Sequence, residues 1–287
     1  MGGDSCRLRK KIEVLLKDCG ATAVGFAKAS EISEEEKLRY ADWLAKKGHA
    51  GMDYLKRHHM LRHNPGNLLE GCATVIMAAF SYVPKEWRDE SLPYISCYAY
   101  GEDYHIVLRE RIYPVISLLK EEYGGEWRLC IDSAPLPERY WALQAGLGVR
   151  GVNGSVIVDG CGGLCFLASI LTTLNVSDVE GDTTENDNCR ECSRCMKCVE
   201  ACPTGALNGD GTIDSANCIN YLTIEHKGEW NEEQTVLMKL AGETLFGCDR
   251  CLKVCPHNIG LKHTAIEEFH PHEVSRKRSP LKRSKLR

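Results

Sequence analysis

Apolar positions along the chain recur at two periods. Ile12, Leu15, Leu16 and Cys19 fall at helical spacing, with Gly20 where helices commonly end on glycine, so a first helix is predicted over 6–19. Ala21 to Ala27 reads as a short buried strand. Ser33 with Glu36 has the capping-box pattern that opens a second helix, running to Lys47 and stopped at Gly48. Ala73 to Val83 is apolar at nearly every position, as in a strand covered on both faces. Residues 103–123 read as a long helix that Pro114 kinks or divides. Arg128 to Asp132 is a strand, 138–145 a short helix, and Ser155 to Val158 with Leu164 to Thr173 two strands joined as a hairpin. Helices are predicted again over 214–223 and 232–246.

The alternation predicts an α/β (α+β) domain over 1–175. An acidic, polar stretch through Asn188 reads as a linker into a second domain over 176–265, and 266–287 reads as a basic tail outside the packed structure. Gly146-Leu147-Gly148-Val149-Arg150-Gly151 superficially matches a dinucleotide fingerprint, but it follows a helix rather than a strand, and the reading is rejected.

Composition narrows the class. The chain has 287 residues, 43% hydrophobic and 26% charged, as in a globular protein of one large domain or two smaller ones. No apolar run is long enough to span a bilayer, and the first residues lead into a charged helix rather than a secretory segment. A cytoplasmic monomer without a membrane partner is expected. The net charge of -4 gives no global case for nucleic acid, although seven lysines or arginines and no acid lie between Arg276 and Arg287. Such a run is a solvated end or an RNA-contacting tail. His58, His59 and His63 stand beside Arg57 and Arg62 without the carboxylates of a metal box, and read as solvated or anion-binding.

Sixteen cysteines in a chain of this length without a secretory segment suit reduced thiols and metal ligation. Cys192, Cys195, Cys198 and Cys202-Pro203 follow the C-x2-C-x2-C-x3-C-P spacing of bacterial two-cluster ferredoxins. Short gaps let three thiolates of one loop face three irons of one cube, while the fourth is carried to the other cluster. Cys248, Cys251 and Cys255-Pro256 form a second motif, and Cys218 lies between the two as a remote ligand. Crossing the fourth ligands gives one 4Fe-4S cluster on Cys192, Cys195, Cys198 and Cys255, and another on Cys202, Cys218, Cys248 and Cys251. Cys189 is left over; a register shifted onto it would strand Cys202 at the wrong gap. Zinc and disulfides are the bland alternatives, and the two C-x3-C-P endings argue against zinc. Cys6, Cys19, Cys72, Cys97, Cys130, Cys161 and Cys165 lie outside this region and read mostly as small core residues. Asp132 stands at a strand end, where acids commonly face a site, though its position equally suits a cap for the helix from Pro137.

Taken together, MDYLKR at Met52 to Arg57, YGEDYH at Tyr100 to His105, IDSAPLPER at Ile131 to Arg139, AGLG at Ala145 to Gly148, the Cys218 to Gly228 stretch and both cysteine motifs resemble the epoxyqueuosine reductase family over roughly 10–260. The resemblance implies an α/β cobalamin-binding domain followed by a ferredoxin-like double 4Fe-4S domain, an arrangement shared with reductive dehalogenases. It implies removal of the epoxide oxygen from the queuosine precursor in tRNA, with electrons from an external low-potential donor. By the same resemblance Asp132 is the proton donor, and Arg57, Asp132, Asn153, Thr223 and Asp249 line the corrin pocket. No D-x-H-x-x-G segment occurs, so cobalamin would be held without that histidine ligand.

Several positions depart from the family pattern. Val149-Arg150-Gly151-Val152-Asn153 replaces the usual Trp-Ile-Gly-Lys-Asn, Leu252 stands for a common glutamine and Asn64 for an aspartate. The tail from Arg276 is expected to stand in for the helical-repeat extension of longer members. Two other readings of the same build are a cobalamin reductase of a small molecule, such as an organohalide or another epoxide, and an electron carrier without its own substrate. The placed acid Asp132 weighs against the last.

Overall fold

A computed structural model of the protein describes residues 2–176 and 189–271, with side chains from residue 5 onward. Most of the predicted linker, from 177 to 188, and the basic run from Arg276 lie outside the described residues. The chain opens with α1 (Gly2–Asp18), β1 (Ala23–Lys28), α2 (Glu34–Ala45), the single turn α3 (Asp53–Arg57) and β2 (Thr74–Ser81). Next come β3 (Tyr94–Ile95), α4 (Tyr104–Tyr123), β4 (Trp127–Cys130), α5 (Glu138–Gln144), β5 (Gly148–Arg150), β6 (Val156–Val158) and β7 (Cys165–Thr172). The second unit holds α6 (Cys192–Cys195), α7 (Lys197–Glu200), α8 (Ile219–Ile224), α9 (Glu232–Leu240), β8 (Thr244–Phe246) and α10 (Arg250–Lys253).

The first unit is built on one antiparallel sheet in the order β1-β2-β7-β4. Every residue of β2 is buried, because helices cover both faces. Ile76, Ala78 and Phe80 point to a core shared with α1 and α4, while Val75, Met77 and Ala79 point to a second core under α5. That alternation is why the strand reads as a continuous apolar run. Pro114 lies inside α4, which continues past it to Tyr123 as one helix. Ser33 caps α2 by accepting the Glu36 N–H at 3.2 Å.

Several sequence expectations are corrected. β6 does not pair with β7: it forms a separate two-stranded sheet with β5, and β7 joins the main sheet. In the glycine-rich link, Gly162 at φ +55 lies so close to the second cysteine motif that a Cβ there would be 2.0 Å from Asn258 Oδ1. The apolar run over 232–246 is not one helix either. α9 ends at Leu240, and after Gly242 at φ +64 the chain becomes β8, parallel to β3 of the first unit.

The second unit has only a small core of its own, Ile219, Tyr221, Leu222, Met238 and Ala241, and leans on the first. Besides the β3–β8 pair, Trp43 Nε1 donates to the Ile213 carbonyl at 2.8 Å and the Tyr221 hydroxyl accepts the Gly51 N–H at 2.9 Å. The tail also begins later than residue 266: Ile266 and Phe269 are buried in the core of α1 and α4, and Arg111 binds the Glu268 carboxylate at 2.7 Å.

Candidate active site and thiol groups

Asp132 follows β4 with φ 53, a left-handed conformation that is uncommon for a residue with a side chain. Its own backbone N–H is held by Glu138 Oε2 at 3.1 Å. The Asp132 side chain is 68% exposed and does not cap the next helix, whose first residue is preceded by Pro137 without a side-chain cap. Instead the carboxylate accepts the Tyr104 hydroxyl at 2.9 Å and lies 3.7 Å from His105 Nε2. His105 Nδ1 in turn lies 2.8 Å from Asp103 Oδ1. Tyr104 is stacked on Phe166 at 4.1 Å and on His105 at 4.0 Å, so its hydroxyl is fixed in place. Burial, and then the charge of Asp132, push the Tyr104 phenol well above its usual range, so it remains a donor.

Under this loop lies a second carboxyl. Glu138 accepts the Ser169 hydroxyl at 3.3 Å, and burial followed by the charge of Asp132 push its pKa up to about 8. It sits six residues after Asp132, where the sequence shows only the first turn of a helix, and sequence reasoning missed it. The signal available was the acid of the IDSAPLPER stretch itself.

Phenols from separate elements converge on the same region. Tyr54 of α3 is raised to about 12 by burial, then by the charges of Glu225 and Asp132, and Tyr98 is raised by burial, then by Asp249, Asp132 and Glu225. Glu225 closes α8 in the second unit, so the region around Asp132 is bounded by both units. Arg62, whose charge reaches Tyr54 and Glu138, has a buried Nε with no hydrogen-bond partner among the described residues.

The resemblance-derived pocket residues are placed as follows. Arg57 is exposed at the end of α3. Asn153 is buried and its Oδ1 accepts the Ser155 N–H at 3.1 Å. The Thr223 hydroxyl donates to the Ile219 carbonyl at 2.8 Å and accepts the Gly247 N–H at 3.0 Å. Asp249 is 1% exposed, and its carboxylate accepts the Ser96 hydroxyl and, at 2.7 Å, the Cys97 N–H, which ties α10 to β3. Arg57 and Asp132 therefore keep accessible side chains, whereas the other three are engaged within the protein. A separate groove of about 710 Å³, lined by Tyr40, Leu44, His49, His59 and His63, does not include Asp132.

The cysteines gather in two groups. Cys192 interacts with Cys189 and Cys255, Cys198 with Cys255 and Cys195, and Cys255 with Cys195 and Cys189. In the second group Cys218 interacts with Cys248 and Cys202, and Cys251 with Cys248 and Cys218. Members of each predicted set therefore lie near one another, and Cys251 also lies near Cys198 of the other set. Met196 at φ 50 separates α6 from α7, which carry Cys192, Cys195 and Cys198. The Ala206 N–H donates to Cys202 Sγ at 3.3 Å and Arg250 Nη1 to Cys248 Sγ at 3.4 Å. Cys189 Sγ, Cys192 Sγ and a ring nitrogen of His257 all lie within 4.8 Å of one another. The altered segment at 149–153 bears on this group, because the Arg150 carbonyl accepts the Cys189 N–H at 2.9 Å and its guanidinium binds Glu36 at 3.2 Å.

Residues 191–258 match the family described as 4Fe-4S double cluster binding domain. The fold and these thiol groups define an iron-sulfur protein with a ferredoxin-like unit docked on an α+β domain that carries a candidate acid. Residues 62–133 match the family described as Epoxyqueuosine reductase QueG, DUF1730. An epoxyqueuosine reductase of Cyclobacterium marinum is 39% identical over 251 residues, 86% of this chain and 78% of that protein. That of Escherichia coli is 34% identical over 275 residues, 93% and 70% of the two chains. A crystal structure of epoxyqueuosine reductase with an epoxyqueuosine-modified tRNA-Tyr stem loop superposes with a TM-score of 0.79 at 27% identity, over 93% of this chain and 70% of that one. The Streptococcus thermophilus enzyme superposes with a TM-score of 0.75 at 27% identity, over 88% and 67%. The chain belongs to the epoxyqueuosine reductase family, a family of oxidoreductases. Among the described residues no helix is long and apolar enough to cross a membrane.

Proposed function

We propose that this chain reduces epoxyqueuosine in tRNA to queuosine, using two 4Fe-4S clusters and cobalamin. The observation that carries the reading is the joining of a placed, accessible carboxylate at Asp132 to two groups of four thiols in one chain. Family membership sets aside the electron carrier without a substrate, and relatives sharing the epoxyqueuosine name favour that substrate over a small organohalide. A solved relative holding a modified tRNA stem loop supports tRNA as the substrate here.

Cys192, Cys195, Cys198 and Cys255 would hold the first cluster, and Cys202, Cys218, Cys248 and Cys251 the second. Tyr54, whose phenol is affected by the charge of Asp132, and Arg62, with a buried Nε unpartnered among the described residues, are the further groups offered to a large polar cofactor on that side. Arg57 and Asp132 would face it with their side chains, and Asn153, Thr223 and Asp249 would shape its walls. The clusters supply electrons one at a time and cobalamin supplies the strongly reducing center for C–O cleavage. Converting an epoxide to an alkene takes two electrons and two protons and releases water, so an acid must stand at the departing oxygen. Asp132 would provide one of these protons and solvent reaching its exposed side chain the other, Tyr104 and His105 orient its carboxyl, and Glu138 fixes its backbone.

Anaerobic reconstitution with iron, sulfide and cobalamin, followed by desalting, tests the cofactor set. Retention of about eight irons, as two four-iron clusters require, together with cobalt is expected; iron without cobalt would exclude cobalamin. The loaded protein is then expected to convert epoxyqueuosine-bearing tRNA with a low-potential donor, and failure on that tRNA would exclude the substrate.

A further inference from the structure

Cys189 is the thiol the two cluster sets leave unused, yet it is 5% exposed and sits among the ligands of one of them. Its sulfur lies 3.6 Å from His257 Nε2 and within 4.8 Å of Cys192 Sγ. It also interacts with Cys255, a second member of the same set. With metal–thiolate bonds of about 2.3 Å, two sulfurs this close reach the same metal from neighbouring positions. The backbone holds Cys189 at that spot, through its N–H on the Arg150 carbonyl at 2.9 Å and its carbonyl accepting the Cys192 N–H at 3.2 Å.

We propose that Cys189 and Cys192 are alternative ligands for one iron of the first cluster. The inference rests on the cluster assignment above. In the exchange, the iron–sulfur bond to Cys192 breaks and one to Cys189 forms. The proton leaving the Cys189 thiol ends on the released Cys192 thiolate, and no electron is gained or lost. A ring nitrogen of His257 lies within 4.8 Å of both sulfurs. Glu191 Oε2, 3.5 Å from Cys189 Sγ, accepts from the thiol while it is unbound. The second state of the same site would hold the cluster by Cys189, Cys195 and Cys198 from the loop, with Cys255.

Iron and sulfide analysis and electron paramagnetic resonance of the reduced full-length chain test this after anaerobic reconstitution. About eight irons in the unsubstituted protein, as two four-iron clusters require, establish the underlying assignment; a different number overturns that assignment instead. Cys192→Ala and Cys189→Ala are each expected to retain about eight irons, and the double variant about four, the second cluster alone. Cys195→Ala, which has no alternative, is expected to retain about four. Loss of the first cluster in Cys192→Ala alone overturns the proposal, as does its survival in the double variant. If Cys192→Ala does not fold, Cys192→Ser replaces it: adding Cys189→Ala must then change the reduced spectrum, and an unchanged spectrum refutes the exchange.

Discussion

Replacing Glu138 by glutamine isolates the buried carboxyl beneath the acid loop. In the folded protein burial, and then the charge of Asp132, raise Glu138 from 4.5 to about 8. The native state therefore keeps a proton over a range in which the unfolded chain has already lost it. The stability contributed is fully present below pH 4.5 and is lost as pH rises toward about 8. At about 1.36 kcal/mol per pH unit, the full range is worth on the order of 5 kcal/mol. This is an upper bound, because water reaching the ionised group relieves part of the cost. Glutamine keeps an acceptor for the Asp132 N–H and never ionises, so Glu138→Gln should flatten the dependence while preserving the loop. Anaerobic urea unfolding of both loaded proteins, at several values between about pH 5 and about pH 8.5, reads the difference. An infrared carboxylic-acid band that titrates near the upper end and vanishes in Glu138→Gln would identify the group. If both proteins lose the same stability over this range, Glu138 is already ionised in the folded state and the argument fails.

The remaining predictions concern the acid, the clusters and the joint between units. Asp132→Asn should keep iron and cobalt contents while lowering turnover by a factor of about 100 to 10,000, the usual worth of a general acid; full activity would remove Asp132 from the mechanism. Cys218→Ala should fall to about four irons, one cluster, and unchanged iron and sulfide would show that another thiol completes the second site. Asp249→Ala leaves the Ser96 hydroxyl and the Cys97 N–H without their acceptor, at about 1–3 kcal/mol per buried unpaired group. A urea midpoint equal to that of the unsubstituted protein would show that the tie between α10 and β3 carries no stability.

Both cysteine groups were legible in the sequence because ligand spacing is a local constraint: a loop that must present three thiolates to one cube repeats at fixed short gaps. The main sheet was legible for a similar reason, as the apolar run of β2 answers to cover on both faces. What escaped was set by distant contacts. β6 reads as the partner of β7 until the close approach of Asn258 to Gly162 is known, and β8 is three residues whose hydrogen-bond partner lies some 150 positions earlier. Asp249 was reached only through the family resemblance, and its engagement with Ser96 and Cys97 depends on that same pairing. Glu138 looks like an ordinary helix-opening acid, and only the fold shows that it is buried and bonded to the backbone of Asp132.

The return of residues 264–269 to the first unit fixes an order of events at synthesis. Ile266 and Phe269 fill the core of α1 and α4, and the Thr264 N–H reaches the Val83 carbonyl at 2.9 Å. These side chains leave the ribosome after every cysteine of both groups has been made. The N-terminal half, though translated first, therefore lacks the side chains that close that face until the thiol-bearing loops are complete.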